Sequence, residues 1–222
     1  MKMVLKSLTI LTALSAMTLA TKAVPTLGFY DGTTEFFVAD GSALDANPLA
    51  GVITYLGPIG NWSVNVTTGI AGGTTEFPTL DLSSVNVSTS TGGFLNLGFV
   101  SDNLGPTSGG LDVQVGGTTT GSVNFLSVVD SGNTSNFFGL TSALQLSQGS
   151  FTGAFSDSAY GAFSLNAPYS IYELAYITHN GAGTTSFHAY AAVPDGGTTA
   201  LLLGLGLLGV GFIFRRLRPA RT

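Results

Sequence analysis

The run Leu80-Asp81-Leu82-Ser83-Ser84-Val85-Asn86-Val87-Ser88-Thr89-Ser90-Thr91-Gly92-Gly93-Phe94-Leu95-Asn96-Leu97-Gly98-Phe99 sets apolar residues in alternation with Asp, Ser, Asn and Gly. Leu80 and Leu82, Val85 and Val87, and Leu95, Leu97 and Phe99 each recur at a period of two. That period puts side chains on one face of an extended strand, whereas a helix requires a period of about 3.6. Gly92-Gly93 separates the segments and suits a short hairpin connection.

The same alternation continues outward at Trp62, Val64 and Val66; at Leu111, Val113 and Val115; at Val123 and Phe125; at Leu144 and Leu146; and at Phe151 and Phe155. Gly72-Gly73, Gly109-Gly110, Gly116-Gly117 and Ser131-Gly132-Asn133 supply candidate turns. A last hairpin is expected from 170–178, a turn at 179–183 and a return over 184–193. About ten to twelve short strands, each with one buried face, predict an all-β ectodomain over 24–192. The expected form is an antiparallel β-sandwich of immunoglobulin-like or jelly-roll type.

Only 9% of residues are charged, against a usual figure of about 25%, and their placement is polarised. All seven basic residues are terminal: Lys2, Lys6 and Lys22 at the start, Arg215, Arg216, Arg218 and Arg221 at the finish. Residues 24–193 hold eleven of the twelve carboxylates and no Lys or Arg, so that segment carries −11 with neutral histidines, against −5 for the whole chain. Such a body cannot neutralise phosphates, and nucleic acid is excluded as a partner. With no cysteine there is neither a disulfide nor a thiolate metal site.

The two ends read as export signals. Residues 1–23 have a basic start, an apolar run from Leu8 to Ala20 and small residues at the end, the layout of a signal peptide. Cleavage after Ala23 uses Thr21 and Ala23 as its small residues, and cleavage after Ala20 is the alternative. Near the other end, 198–214 is apolar and interrupted by glycines. Seventeen residues at about 1.5 Å each reach about 25 Å, enough for a short transmembrane helix. Arg215, Arg216 and Arg218 follow it at once, within the basic tail 215–222, as a stop-transfer cluster. The positive-inside bias then holds this tail in the cytoplasm and the body on the opposite side of the membrane.

Before this segment stands Val193-Pro194-Asp195-Gly196-Gly197-Thr198-Thr199. Pro194 fixes its own φ and biases Val193 toward an extended conformation, and the glycines separate the motif from the helix. An extended motif over 193–199, an apolar helix and an arginine cluster at the chain end together resemble the PEP-CTERM sorting signals, in their Val-Pro-Asp variant. The resemblance covers 193–218, with Asp195 where Glu is usual and no second proline. It implies an exosortase-type membrane protease as partner, with Val193, Pro194, Asp195, Gly196 and Gly197 as the processing motif. It also implies a membrane-inserted precursor delivered to the cell surface or extracellular matrix of an exopolysaccharide-making bacterium.

Catalytic chemistry has little support. His179 and His188 are the two histidines; neither adjoins a Gly-x-Ser-x-Gly or His-Glu-x-x-His motif, and both are expected as surface residues. No carboxylate pair has local spacing that marks a glycosidase. Asp130-Ser131-Gly132-Asn133 reads as a turn in preference to a calcium loop. Sequons at Asn61, Asn65, Asn86 and Asn133 are close to the number expected by chance in so Asn-, Ser- and Thr-rich a chain. Trp62 shares its face with Val64 and Val66 and is expected in the core. No catalytic, cofactor or metal site is expected. The leading expectation is a non-enzymatic surface or matrix protein associated with exopolysaccharide; a carbohydrate-binding module or a secreted polysaccharide hydrolase is the alternative.

Overall fold

The computed structural model describes residues 23–137 and 140–195, together with Leu203, Gly204 and Leu207. The chain is all-β and antiparallel in this region. Its ten strands are β1 (Thr26–Tyr30), β2 (Glu35–Ala39), β3 (Val52–Ile59), β4 (Trp62–Gly73), β5 (Pro78–Thr89), β6 (Gly93–Leu104), β7 (Thr107–Asp130), β8 (Ser142–Leu165), β9 (Tyr169–His179) and β10 (Gly183–Ala192). They form one hydrogen-bonded ladder in the order β2-β1-β6-β9-β7-β10-β5-β4-β3, with β8 added along β7.

Two separate sheets were the expectation, and β7 is why the ladder is continuous. It has 24 residues, about 80 Å if straight, and it bends instead. Its first part, through Thr119, pairs with β10, and its second part, from Ser122, pairs with β9. The register breaks between Thr119 and Val123, and Gly149 and Gly153 of β8 take positive φ opposite that break. The ladder folds over at this point, so that its two arms face each other. Phe29 meets Tyr55 at 5.2 Å, Trp62 meets His179 at 5.4 Å and Phe125 meets Phe187 at 5.0 Å, each pair joining one arm to the other.

The alternating residues fill the space between the arms. Leu80, Leu82, Val85, Val87, Leu95, Leu97 and Phe99 are all 2% exposed or less. Trp62 is in this core as expected, 2% exposed, and its Nε1–H donates to the Phe94 carbonyl at 3.1 Å. A second, smaller cluster of Val100, Val128 and Tyr172 lies on the outer side of the β6–β9–β7 arm, under Phe137 and Leu174.

Two of the expected turns are strand interior. Gly109-Gly110 and Gly116-Gly117 both fall within β7. At Gly117 a β-carbon would sit 2.8 Å from the Phe187 Cα, so glycine serves close strand contact there and not reversal. Likewise 144–146 and 151–155 are one strand, β8, which pairs only with β7 among the described elements.

Candidate functional site

The sorting motif begins inside the folded body. β10 lies between β5 and β7, and Val193 extends its pairing by donating its N–H to the Pro78 carbonyl at 3.0 Å. The Val193 side chain is 3% exposed and joins the main core, while Pro194 and Asp195 are exposed. Gly196, Gly197 and the stop-transfer residues Arg215, Arg216 and Arg218 lie outside the described residues, as does the signal segment 1–22. Of the expected membrane segment, Leu203 and Leu207 are 64% and 65% exposed, and no helix among the described residues is long and apolar enough to cross a membrane. At the opposite terminus Ala23 packs against the core, and the Val24 N–H donates to Asp102 Oδ1 at 3.2 Å.

The histidines have different fates. His179 is not a surface turn residue: it ends β9 on the inward phase shared with Ile177 and is 3% exposed. Its Nε2 lies 2.9 Å from Thr185 Oγ1 and its Nδ1 3.4 Å from Thr120 Oγ1. Burial pushes its pKa down, which favours the neutral ring. His188 is on the outer face as expected, with Nε2 2.8 Å from Asp81 Oδ1. Beside it a polar groove of about 840 Å³ is lined by Asp112, Gln114, Asp157 and Ser158. Among the described residues no hydroxyl is hydrogen-bonded to His188, so the nucleophile and base contact of a Ser-His hydrolase is not formed.

The 130–133 segment is a clamp. Asp130 is fully buried; its carboxylate accepts from the N–H groups of Gly132, Thr134 and Thr141 and from the Ser170 hydroxyl. Asn133 is held by reciprocal bonds with Asn103 at 2.7 and 3.0 Å. Among the described residues no group of three His, Asp or Glu is placed to hold a metal ion.

The outer face of the β2–β1–β6–β9–β7 arm carries an arrangement that the sequence reading did not single out. Glu35, Tyr30, Asn96, Tyr176 and Asn124 are opposite one another in register across five strands. Phe94 stands against Tyr30, ring centroids 5.9 Å apart and edge-on, and Phe37 stacks on Phe137 at 5.8 Å. Phe137 lies over Gly28 and Gly98, where any β-carbon would strike its ring. A depression of about 200 Å³ opens between Tyr30, Phe37, Asn96, Phe137 and Tyr176. The signal available in the sequence was phase: Phe94 and Tyr176 sit on the outward positions of their strands, beside the polar Asn96 and Thr178.

Residues 192–217 match the VPDSG-CTERM motif, a sorting signal of the PEP-CTERM kind, with Gly196 where the name has Ser. No curated protein sequence matches the chain. Among solved structures, that of TmCBM61 in complex with beta-1,4-galactotriose is similar at 10% identity and a TM-score of 0.36, over 63% of this chain and 92% of that one. The enzymatically active domain of bacteriophage CBA120 tailspike protein 4 is similar at 12% identity and a TM-score of 0.32, over 62% and 20%. Likenesses this distant carry no argument about the activity of this chain.

Proposed function

We propose that this chain is an exported, non-enzymatic protein of a bacterial cell surface or extracellular matrix, whose folded-over ladder is a β-sandwich ectodomain. An exosortase-type protease processes the membrane-inserted precursor, and the mature protein associates with exopolysaccharide. The observation that carries this reading is the sorting signal at 192–217, which starts on the last residue of the final strand, Ala192, next to the buried Val193. A carbohydrate-binding module is the second reading, favoured by the aromatic and amide row on the outer face.

The arginines hold orientation, the apolar segment holds the precursor in the membrane, and Pro194 and Asp195 present the motif. Changing Pro194 and Asp195 together to Ala is expected to leave export intact while uncut precursor accumulates. Mass spectrometry of the C-terminus in the native bacterium checks the whole scheme. A mature end between 193 and 197 is the expected result, and surface protein that retains Arg215 and Arg216 makes the segment a permanent anchor instead.

A further inference from the structure

We infer that the outer face of β1, β6, β9 and β7 is a binding platform for a neutral polysaccharide, with Tyr176, Tyr30 and Phe94 as stacking surfaces and Asn96 and Asn124 as hydrogen-bonding groups. This deepens the exopolysaccharide association proposed above by naming the ligand class and the face.

The first support is register. Tyr30 pairs with Asn96, Asn96 with Tyr176 and Tyr176 with Asn124, so aromatic and amide side chains alternate from strand to strand along one line. Neighbouring strands are about 4.8 Å apart, which sets the two tyrosines about 9.6 Å apart. Alternate pyranose rings of an extended chain repeat on a similar scale, and the apolar face of such a ring stacks on an aromatic face while its hydroxyls need donors and acceptors between the stacks.

The second support is availability. Phe94 is 41% exposed and Tyr176 37%, so both rings are open to solvent on this face. Neither the Asn96 nor the Asn124 amide has a hydrogen-bond partner among the described residues, so both are free to bond hydroxyls. Phe94 is also held rigid: its carbonyl accepts from Trp62, its ring meets Tyr30, and its edge lies against Gly32. A site that is already ordered loses little freedom on binding.

Charge selects the class. The row contains no cation, and 24–193 contains no Lys or Arg at all, so a uronate or sulfate chain meets a field of −11 with nothing to pair with.

The test uses the full chain in a detergent without a sugar headgroup, titrated with cellohexaose, xylohexaose, β-1,4-galactan and dextran, and with polygalacturonate as the anionic probe. Saturable binding to at least one neutral probe is expected, insensitive to salt between about 0.05 and 0.5 M. Tyr176→Ala and Phe94→Ala should each weaken it about tenfold while the chain stays folded, and Tyr176→Phe should retain it. Failure of every neutral probe, preference for polygalacturonate, or equal binding by Tyr176→Ala overturns the platform. A change of oligomeric state in Tyr176→Ala without loss of glycan binding also overturns it, in favour of a self-association face. None of these outcomes touches the C-terminal processing scheme, which is read separately by mass spectrometry.

Discussion

Glu173 is the residue whose position departs furthest from its chemistry. It lies on the inward phase of β9, opposite Phe99 and Ser127, and is 3% exposed. Among the described residues neither carboxyl oxygen has a hydrogen-bond partner, and the Ser101 hydroxyl and Gln148 amide, also buried, have none either. Burial first, and the charge of Asp81 second, push its pKa well above the ordinary 4.5. The folded chain therefore keeps this proton where the unfolded chain releases it. With more protons bound in the native state, stability falls as pH rises from 4.5 toward the folded value, by up to about 1.4 kcal/mol per pH unit. Glu173→Gln removes that slope while keeping the shape. Calorimetry from about pH 5 to pH 8 is expected to show the variant gaining on the wild type as pH rises; a difference independent of pH contradicts the assignment.

At the scale of the element, β10 has two duties. It is the central strand between β5 and β7, and its continuation is the start of the sorting signal. Because Val193 is buried and bonded to Pro78, it acts in stability before it acts in sorting. Val193→Ala is expected to lower unfolding stability by about 1–3 kcal/mol, through the lost burial and the small cavity that remains. Pro194→Ala, one residue on and exposed, should leave the melting temperature within about 1 °C. Thermal unfolding of the two variants side by side separates these roles; equal melting temperatures would show that Val193 contributes no packing. The buried, strand-paired part of the motif thus ends at Val193, and its exposed part begins at Pro194.

Across the whole molecule the distribution of charge is the dominant property. The folded body is held together without any Lys or Arg side chain, and the ion pair among its described residues is His188 with Asp81, which depends on protonation of the histidine. Stability therefore rests on the continuous core and on side-chain clamps such as Asp130, not on salt bridges. Trypsin should find no site between Lys22 and Arg215 even in fully denatured protein. Electrophoresis after digestion in denaturant is expected to show one large resistant fragment, and any tryptic end within 24–193 refutes it. If the signal is removed after Ala23, the Val24 amine becomes the first cation of the body, next to Asp102, an exposed pair contributing less than about 1 kcal/mol.

What the sequence by itself determined here was local. Alternation at Leu80, Val85, Leu95 and Leu111 showed which side chains face inward, because the period of two belongs to the extended backbone and needs no partner. The sorting signal was legible for the same reason: its motif, apolar run and arginines are contiguous. Tertiary structure alone decided that Gly109-Gly110 and Gly116-Gly117 lie within a strand, since a glycine pair fits a turn and a close strand contact equally well. It alone placed His179, expected as the first residue of the turn, at the end of β9 in contact with Trp62. It alone drew Tyr30, Asn96, Asn124 and Tyr176 into one row from four strands far apart in the chain. The face of a strand is set by its own residues, but its neighbours are set by which distant strands complete the shared core, and no local pattern records that choice.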